Sequence, residues 1–204
     1  MKALKNLSIE EMARLADEYR ETGKVPFKGG DIKNIGGIDV EFIGEDVLNK
    51  ELAFRFAYAL DEDYPMNKEW TNKGGWGESW LRKELNSKIY GSLPDELKRL
   101  IKDRRSVYID SDGKSHDVVD KLWILSESEL CGVNAELSEG PQFALFTDWK
   151  RRIVGKAGNE YGSWQWSRSI YSGGSSYFVC VYSSGSFSIN YANFTYGVAP
   201  CFAI

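Results

Sequence analysis

The chain has 204 residues, 26 of them Lys or Arg and 30 Asp or Glu, giving a formal net charge of −4 and a pI near 5.2. This length suits one well-cored domain better than two marginal ones, and the acidic balance leaves no basic stripe to neutralise phosphates, so nucleic acid is not an expected partner. No run approaches the ~18 apolar residues of a membrane span, and the segment before Gly23 lacks the apolar core of a signal peptide, so a soluble chain with neither membrane insertion nor ordinary secretion is expected.

Ser8-Ile9-Glu10-Glu11 reads as a capping box, and Ile9, Met12, Leu15 and Ala16 fall on one stripe before Gly23, which predicts a helix over about 8–22. The Gly-rich loop from Lys28 to Gly37 feeds Ile38-Asp39-Val40-Glu41-Phe42, whose alternation predicts a half-buried strand with Ile38, Val40 and Phe42 inward. A second strand is predicted from Leu52 to Leu60, with Phe54, Phe56 and Tyr58 on one side. Ser79 opens a helix whose buried face holds Trp80, Leu81 and Leu85, and Pro94 begins another that runs through Ile101. Strands are predicted at Ser106 to Ile109 and Val119 to Leu125, around the turn Asp110-Ser111-Asp112-Gly113. Helices from Ser126 to Leu130 and from Gly140 to Trp149 follow, then strands at Trp164 to Ser169, Tyr177 to Tyr182 and Val198 to Ile204. The mixture predicts an α+β fold with an antiparallel sheet and flanking helices.

The motifs of common chemistries are missing. Gly29-Gly30 and Gly36-Gly37 lack the ending of a P-loop, and Gly74-Gly75-Trp76-Gly77 lacks dinucleotide-binding spacing, so these glycines read as turns. Asp110-Ser111-Asp112-Gly113 carries its Gly too early for a calcium loop, and the acidic run Asp61-Glu62-Asp63 reads as a solvated loop. His116, the single histidine, sits in a polar segment away from every cysteine. Cys131, Cys180 and Cys201 are odd in number and lack CxxC spacing, so free thiols are expected rather than disulfides or a zinc site. Neither GxSxG nor HExxH occurs. No catalytic residue, metal or cofactor is expected.

From Ser169 to Ile204 there is no Asp, Glu, Lys or Arg, although charged residues make up 27% of the chain. Tyr, Ser, Gly and Asn fill Tyr171 to Tyr196 instead, the composition of an antibody binding loop: Tyr gives stiff amphipathic contact area, and the small polar residues give adaptable hydrogen bonding. Arg168, the last charge, reads as a scaffold residue tied to a carboxylate or to backbone carbonyls rather than as a ligand contact. Val179 and Val181 are expected inward, Cys180 and Tyr182 outward, with a turn at Ser183-Ser184-Gly185. Ser186 to Tyr196 has no sustained period and reads as an exposed loop or irregular strand. Val198 to Ile204 is apolar and must be buried, so the tract before it is expected to be ordered, with Tyr171, Tyr182, Tyr191 and Tyr196 on one open face.

Trp166-x-Arg168-Ser169, Phe178-Val179-x-Val181, Gly185 and Gly197-Val198-x-Pro200-x-Phe202-x-Ile204 resemble the C-terminal domain of the variable proteins of diversity-generating retroelements. Asn72-x-Gly74-Gly75-Trp76, Trp80-Leu81-Arg82-x-x-Leu85-Asn86, Leu93-Pro94-x-x-Leu97-Lys98 and Asp120-Lys121-Leu122-Trp123-Ile124-Leu125-Ser126 resemble the body of bacterial and phage members, so the likeness covers nearly the whole chain. The resemblance implies a C-type-lectin-like fold and a single domain: the N-terminal helix, a scaffold over 24–168, a variable region over 169–197 and a terminal anchoring strand over 198–204. It implies that an error-prone reverse transcriptase replaces template adenines, chiefly in Asn codons, an outcome that excludes Lys, Glu, Gln, Trp and Met. None of these five occurs from Ser169 to Gly197.

By this resemblance Trp166, Arg168, Phe178, Val179, Val181, Gly185, Gly197, Val198, Pro200 and Phe202 are scaffold. The ligand-facing set is Tyr171, Ser172, Ser175, Ser176, Tyr177, Cys180, Tyr182, Ser183, Ser184, Ser186, Ser188, Asn190, Tyr191, Asn193, Phe194 and Tyr196. The implied partner is a macromolecule, a protein or glycan on a cell surface, and the implied setting is a virion or export by a non-Sec route. Two other readings stay open. A formylglycine-generating-type enzyme of the same fold needs a cysteine pair, which Cys180 and Cys201 would supply; a structural or adhesive module of a phage or bacterial surface would use the tract for self-association.

Overall fold

Residues 3–132, 135–159, 162 and 164–204 are described by the computed structural model. Ser8 opens α1 (Ile9–Thr22): its hydroxyl accepts from the Glu11 amide while the Glu11 carboxylate accepts from the Ser8 amide, and Gly23 closes the helix in the left-handed conformation. Met12, Ala16 and Tyr19 are its buried stripe, and an Arg20–Glu51 ion pair ties the helix to the third strand.

The first sheet is antiparallel throughout, in the order β1 (Ile32–Ile35), β2 (Ile38–Asp46), β3 (Glu51–Phe56) and β9 (Cys201–Ala203), so the C-terminal strand returns to pair with the first half of the chain. Register explains its two faces. Phe42 lies opposite Phe54 and Phe54 opposite Phe202, which lines up three rings at centroid separations of 5.3 and 5.5 Å, with Phe27 against the first two. One residue along, Glu41 lies opposite Arg55 and Arg55 opposite Cys201, so the reverse face carries a buried ion pair. β2 is therefore covered on both sides rather than half-buried as its alternation suggested. β1 had been expected as loop; the Gly36-Gly37 turn makes it a hairpin with β2. β3 ends at Phe56 rather than Leu60, and Tyr58, expected on the side of Phe54 and Phe56, is 46% exposed where they are buried.

Two short helices, α2 (Gly75–Glu78) and α3 (Trp80–Glu84), continue through a π turn at Leu85–Ile89 into α4 (Tyr90–Ser92), and α5 (Asp95–Leu100) follows Pro94. The hairpin β4 (Arg104–Ile109) and β5 (Ser115–Asp120) comes next. The expected strand through Leu125 stops at Asp120, because Asn86 Oδ1 takes the amides of Lys121 and Leu122 and leaves a single bridge from Trp123 to Cys201. Asn86 Nδ2, Arg82 Nε and Trp76 Nε1 all reach the buried Asp120 carboxylate, at 3.3, 2.7 and 3.0 Å. Motifs far apart in sequence thus share one buried polar node. Burial pushes the Asp120 carboxyl up despite these donors.

α6 (Glu127–Cys131) has a second capping box, from Ser126 and Glu129. The helix expected from Gly140 to Trp149 is instead two short 3-10 turns, Ala144–Thr147 and Trp149–Arg152, where Gln142 and Asp148 satisfy local backbone groups. A three-stranded antiparallel sheet, β6 (Gln165–Ile170), β7 (Tyr177–Val181) and β8 (Phe187–Tyr191), carries the charge-free tract. The fold is α+β with antiparallel sheets. Among the described residues no helix is long and apolar enough to cross a membrane.

Candidate functional site

The base of the charge-free tract is held by charge hidden beneath it. Every residue of β6 is buried, and Arg168 is fully enclosed. Its guanidinium grips both oxygens of Glu129 and donates to the carbonyls of Ile124 at 3.0 Å, Val107 at 3.3 Å and Glu139 at 2.9 Å. The other cation on Glu129 is Arg104, which also pairs with Asp46 at 2.5 Å and lies over the Trp123 ring. Burial would raise the Glu129 carboxyl, but Arg168 and Arg104 outweigh it and hold it down at about 2. Ser169 reaches the buried Glu139 carboxylate and accepts from the Glu127 amide. The surface part of the tract therefore begins at Tyr171, two residues later than the expected boundary.

Asn72 fixes the first loop. Its backbone amide donates to Ser175 O at 2.9 Å, and its Nδ2 donates to Gly174 O at 2.8 Å and Tyr177 O at 3.0 Å. A buried side chain from the scaffold thus sets the backbone of residues 171–177 without using any side chain of that loop. The turn at residues 183–185 is fixed by Gly185, at φ +82, where a Cβ would come within 2.9 Å of Trp149 O.

On this frame Ser172, Ser175, Ser183, Ser184, Ser186 and Phe194 are exposed, while Tyr171, Ser176, Tyr177, Tyr182, Ser188, Asn190, Tyr191, Asn193 and Tyr196 are half-buried. Cys180 is a correction to the expected set. It is fully buried in the central strand β7, both faces of which are covered, and burial pushes its thiol up to about 12. Ser186 to Tyr196 is also more regular than expected, since β8 pairs with β7 over its whole length.

The four tyrosines expected on one open face fall into two sets. Cross-strand partners share a face of a sheet, which puts Tyr177 with Tyr191 on one side and Cys180 with Ser188, and Phe178 with Asn190, on the other. On the first side Tyr191 packs on Tyr177 at 4.7 Å, Phe194 at 5.6 Å and Trp70 at 5.1 Å, and Tyr171 meets Tyr177 at 6.3 Å. On the second, Trp164 contacts Tyr182 at 4.2 Å and Tyr196 at 5.2 Å, Trp166 lies 4.8 Å from Tyr196, and Asn190 donates to the Tyr196 hydroxyl. The two clusters therefore lie on opposite sides of the sheet β6-β7-β8, in which β8 is an edge strand, and together make an aromatic ridge rather than one plane. Burial pushes the Tyr196 phenol up to about 12, and hydrogen bonding to Tyr191 raises Tyr177, so these two hydroxyls stay neutral at physiological pH.

Trp70 is the residue that sequence reading missed. It is 63% exposed, the most open tryptophan named here, and stacks on Tyr191 from outside the tract. Its only sequence signal was an aromatic in the polar stretch Asn67 to Lys73. Among the described residues no group of three or more His, Cys, Asp or Glu side chains is placed to hold a metal ion. Asp63 pairs with Lys156, and His116 with Asp110 in the β4–β5 hairpin.

Because Ser175 and Ser184 project from the ridge, Ser175→Asp and Ser184→Asp are each expected to change stability by less than about 0.5 kcal/mol. Thermal melts check this, and a large loss in both would place the loops in the core. Ser188 is unlike them, as it accepts from the Tyr182 hydroxyl at 2.6 Å.

The chain belongs to the family described as a domain of unknown function, DUF6273, whose model matches residues 44–204. The match runs from within β2 through β9 and so takes in the ridge and everything that supports it. No curated protein and no solved structure matched the chain.

Proposed function

We propose that this chain is a binding module of C-type-lectin-like fold that displays its uncharged aromatic and small polar ridge to a macromolecular ligand, a protein or glycan on a cell surface, as in the variable proteins of diversity-generating retroelements. The observation that carries this reading is the division of labour around residues 171–196. The backbone of residues 171–177 is held by the buried Asn72, and β6, which leads into it, by the Arg168–Glu129–Arg104 triad, while the exposed serines and Phe194 project outward. Such positions tolerate substitution because little of the fold depends on their side chains. Half-buried tyrosines suit recognition, since their rings are already restrained and lose little freedom on binding.

The enzyme reading of the same fold is weakened by the thiols. Cys180 and Cys201 are both fully buried, and burial pushes each up to about 12, so neither is poised as a thiolate. The adhesive reading predicts concentration-dependent assembly without any ligand, which sedimentation tests directly.

A display library randomised at Ser172, Ser175, Ser183, Ser184, Ser186 and Phe194 tests the proposal. Most members are expected to fold and to yield specific binders against cell-surface proteins or glycans, whereas a library at Ser167, Arg168 and Ser169 is expected to lose folded members. Equal tolerance, or equal collapse, of the two libraries would remove the reading. The mechanism of variation has its own test in the neighbouring DNA: a near-copy of the codons for Trp166 to Ile204 differing almost only at adenines, beside a reverse transcriptase gene.

A further inference from the structure

A pocket of about 530 Å3 opens between β2, β3 and the segment 150–159, and none of its lining residues belongs to the charge-free tract. Although the chain is acidic overall, the charged side chains lining this pocket are, among the described residues, Arg55, Lys150, Arg151 and Lys156 with Glu41. Glu41 does not cancel them. One of its oxygens accepts from Arg55 Nη2 and the other from Arg151 Nη2, so two guanidiniums share a single carboxylate. Asp63 reaches Lys156 from beyond the lining, at 2.9 Å, so among the described residues four cations face two anions.

Arg55 is the deepest of the four. It is 3% exposed, the Phe146 ring lies 5.1 Å from its Cζ, and its Nη1 donates to Arg151 O at 3.2 Å. Its Nε is buried and has no hydrogen-bond partner among the described residues. An oxyanion is the ligand that answers the surplus positive charge of this lining. Tyr58 and Ile32, 46% and 47% exposed, supply apolar surface in the same lining.

We propose that this pocket binds a small organic oxyanion, a carboxylate or phosphate monoester carried on an apolar or aromatic body. The cations of Arg55, Arg151 and Lys150 take the oxyanion, and Tyr58 and Ile32 take the body. The site is separate from the ridge, so loss of the ligand-display reading leaves it standing.

The test is calorimetric titration and thermal melting of the whole chain with phenyl phosphate, benzoate and sodium chloride at matched ionic strength, which removes general screening from the comparison. A saturable heat and a rise in melting temperature are expected with phenyl phosphate or benzoate but not with chloride, and which of the two binds tighter identifies the headgroup. Lys150→Gln, an exposed position, is expected to weaken binding roughly tenfold, and Arg151→Gln by at least as much. Should Arg151→Gln melt early because Glu41 loses a partner, Lys150→Gln and the Arg55 Nε–H resonance carry the test, that resonance being expected to shift on titration. Identical behaviour in all three salts, or binding that Lys150→Gln leaves undiminished with an unmoved Arg55 Nε–H, overturns the proposal.

Discussion

Glu129→Gln is expected to lower stability by roughly 3–5 kcal/mol in urea unfolding, the range for removing one partner of a buried ion pair. The change is nearly isosteric, so the loss is electrostatic. Arg104 keeps Asp46 at 2.5 Å, but Arg168 is left with carbonyl oxygens alone, inside a strand with no solvent access. Glu139 is next nearest, and burial pushes its carboxyl up, which makes it a poor substitute. The pH dependence has a defined sign. Glu129 is held at about 2 in the fold against an ordinary 4.5, so its contribution is complete above about 4.5 and is lost as pH falls towards 2. Acid melts of the wild type should fall through that window, and those of Glu129→Gln should be flatter there. A variant with the wild-type acid limb, or a loss under about 1 kcal/mol, would show that the triad does not hold the tract.

What could be read from the sequence was whatever depended on local pattern. The Ser8 capping box, the short helix after Ser126, the Pro94 helix start, the free thiols and the anchoring terminal strand all follow from residue type and spacing over a few positions. Arg168 was also read as scaffold tied to a carboxylate or carbonyls, and it is fully buried on Glu129. Its partner was not: Glu129 lies 39 residues away and looks like an ordinary capping-box acid. Cys180 was misplaced because alternation assumes one wet face, whereas its side of β7, shared with the buried Phe178 and Trp166, is covered like the side of Val179 and Val181. The split of the tyrosines depended on β8 pairing with β7, which polar, aperiodic sequence does not announce. Trp70 joins the ridge through a tertiary contact that spacing cannot encode. Trp76, Arg82, Asn86 and Asp120, the first and last 44 residues apart in sequence, converge on one buried node that spacing alone does not reveal.

Phe202→Ala should cost about 3–5 kcal/mol, the usual range for removing a buried Phe, whereas Tyr191→Ala should cost about 1 kcal/mol, the worth of a partly exposed aromatic pair or two. Phe202 is fully buried, stacks on Phe54 at 5.5 Å and meets Phe56 edge-on at 6.4 Å. It sits in β9, the strand that joins the end of the tract to the first sheet, where Leu52 and Ile204 exchange backbone bonds and Pro200 O accepts from the Phe56 amide. Pro200 precedes the ladder, so its missing N–H breaks no strand bond. Removing the Phe202 ring opens a cavity under both β3 and β9 and loosens the anchor for everything from Tyr171 onward. Tyr191, by contrast, lies on the edge strand β8 against Trp70 and Tyr177, with solvent on its open side. Its loss should weaken binding once a ligand is in hand while leaving the urea midpoint nearly in place. Midpoints that fall together would mean that the ridge and its anchor are a single core, and that the display surface has been drawn in the wrong place.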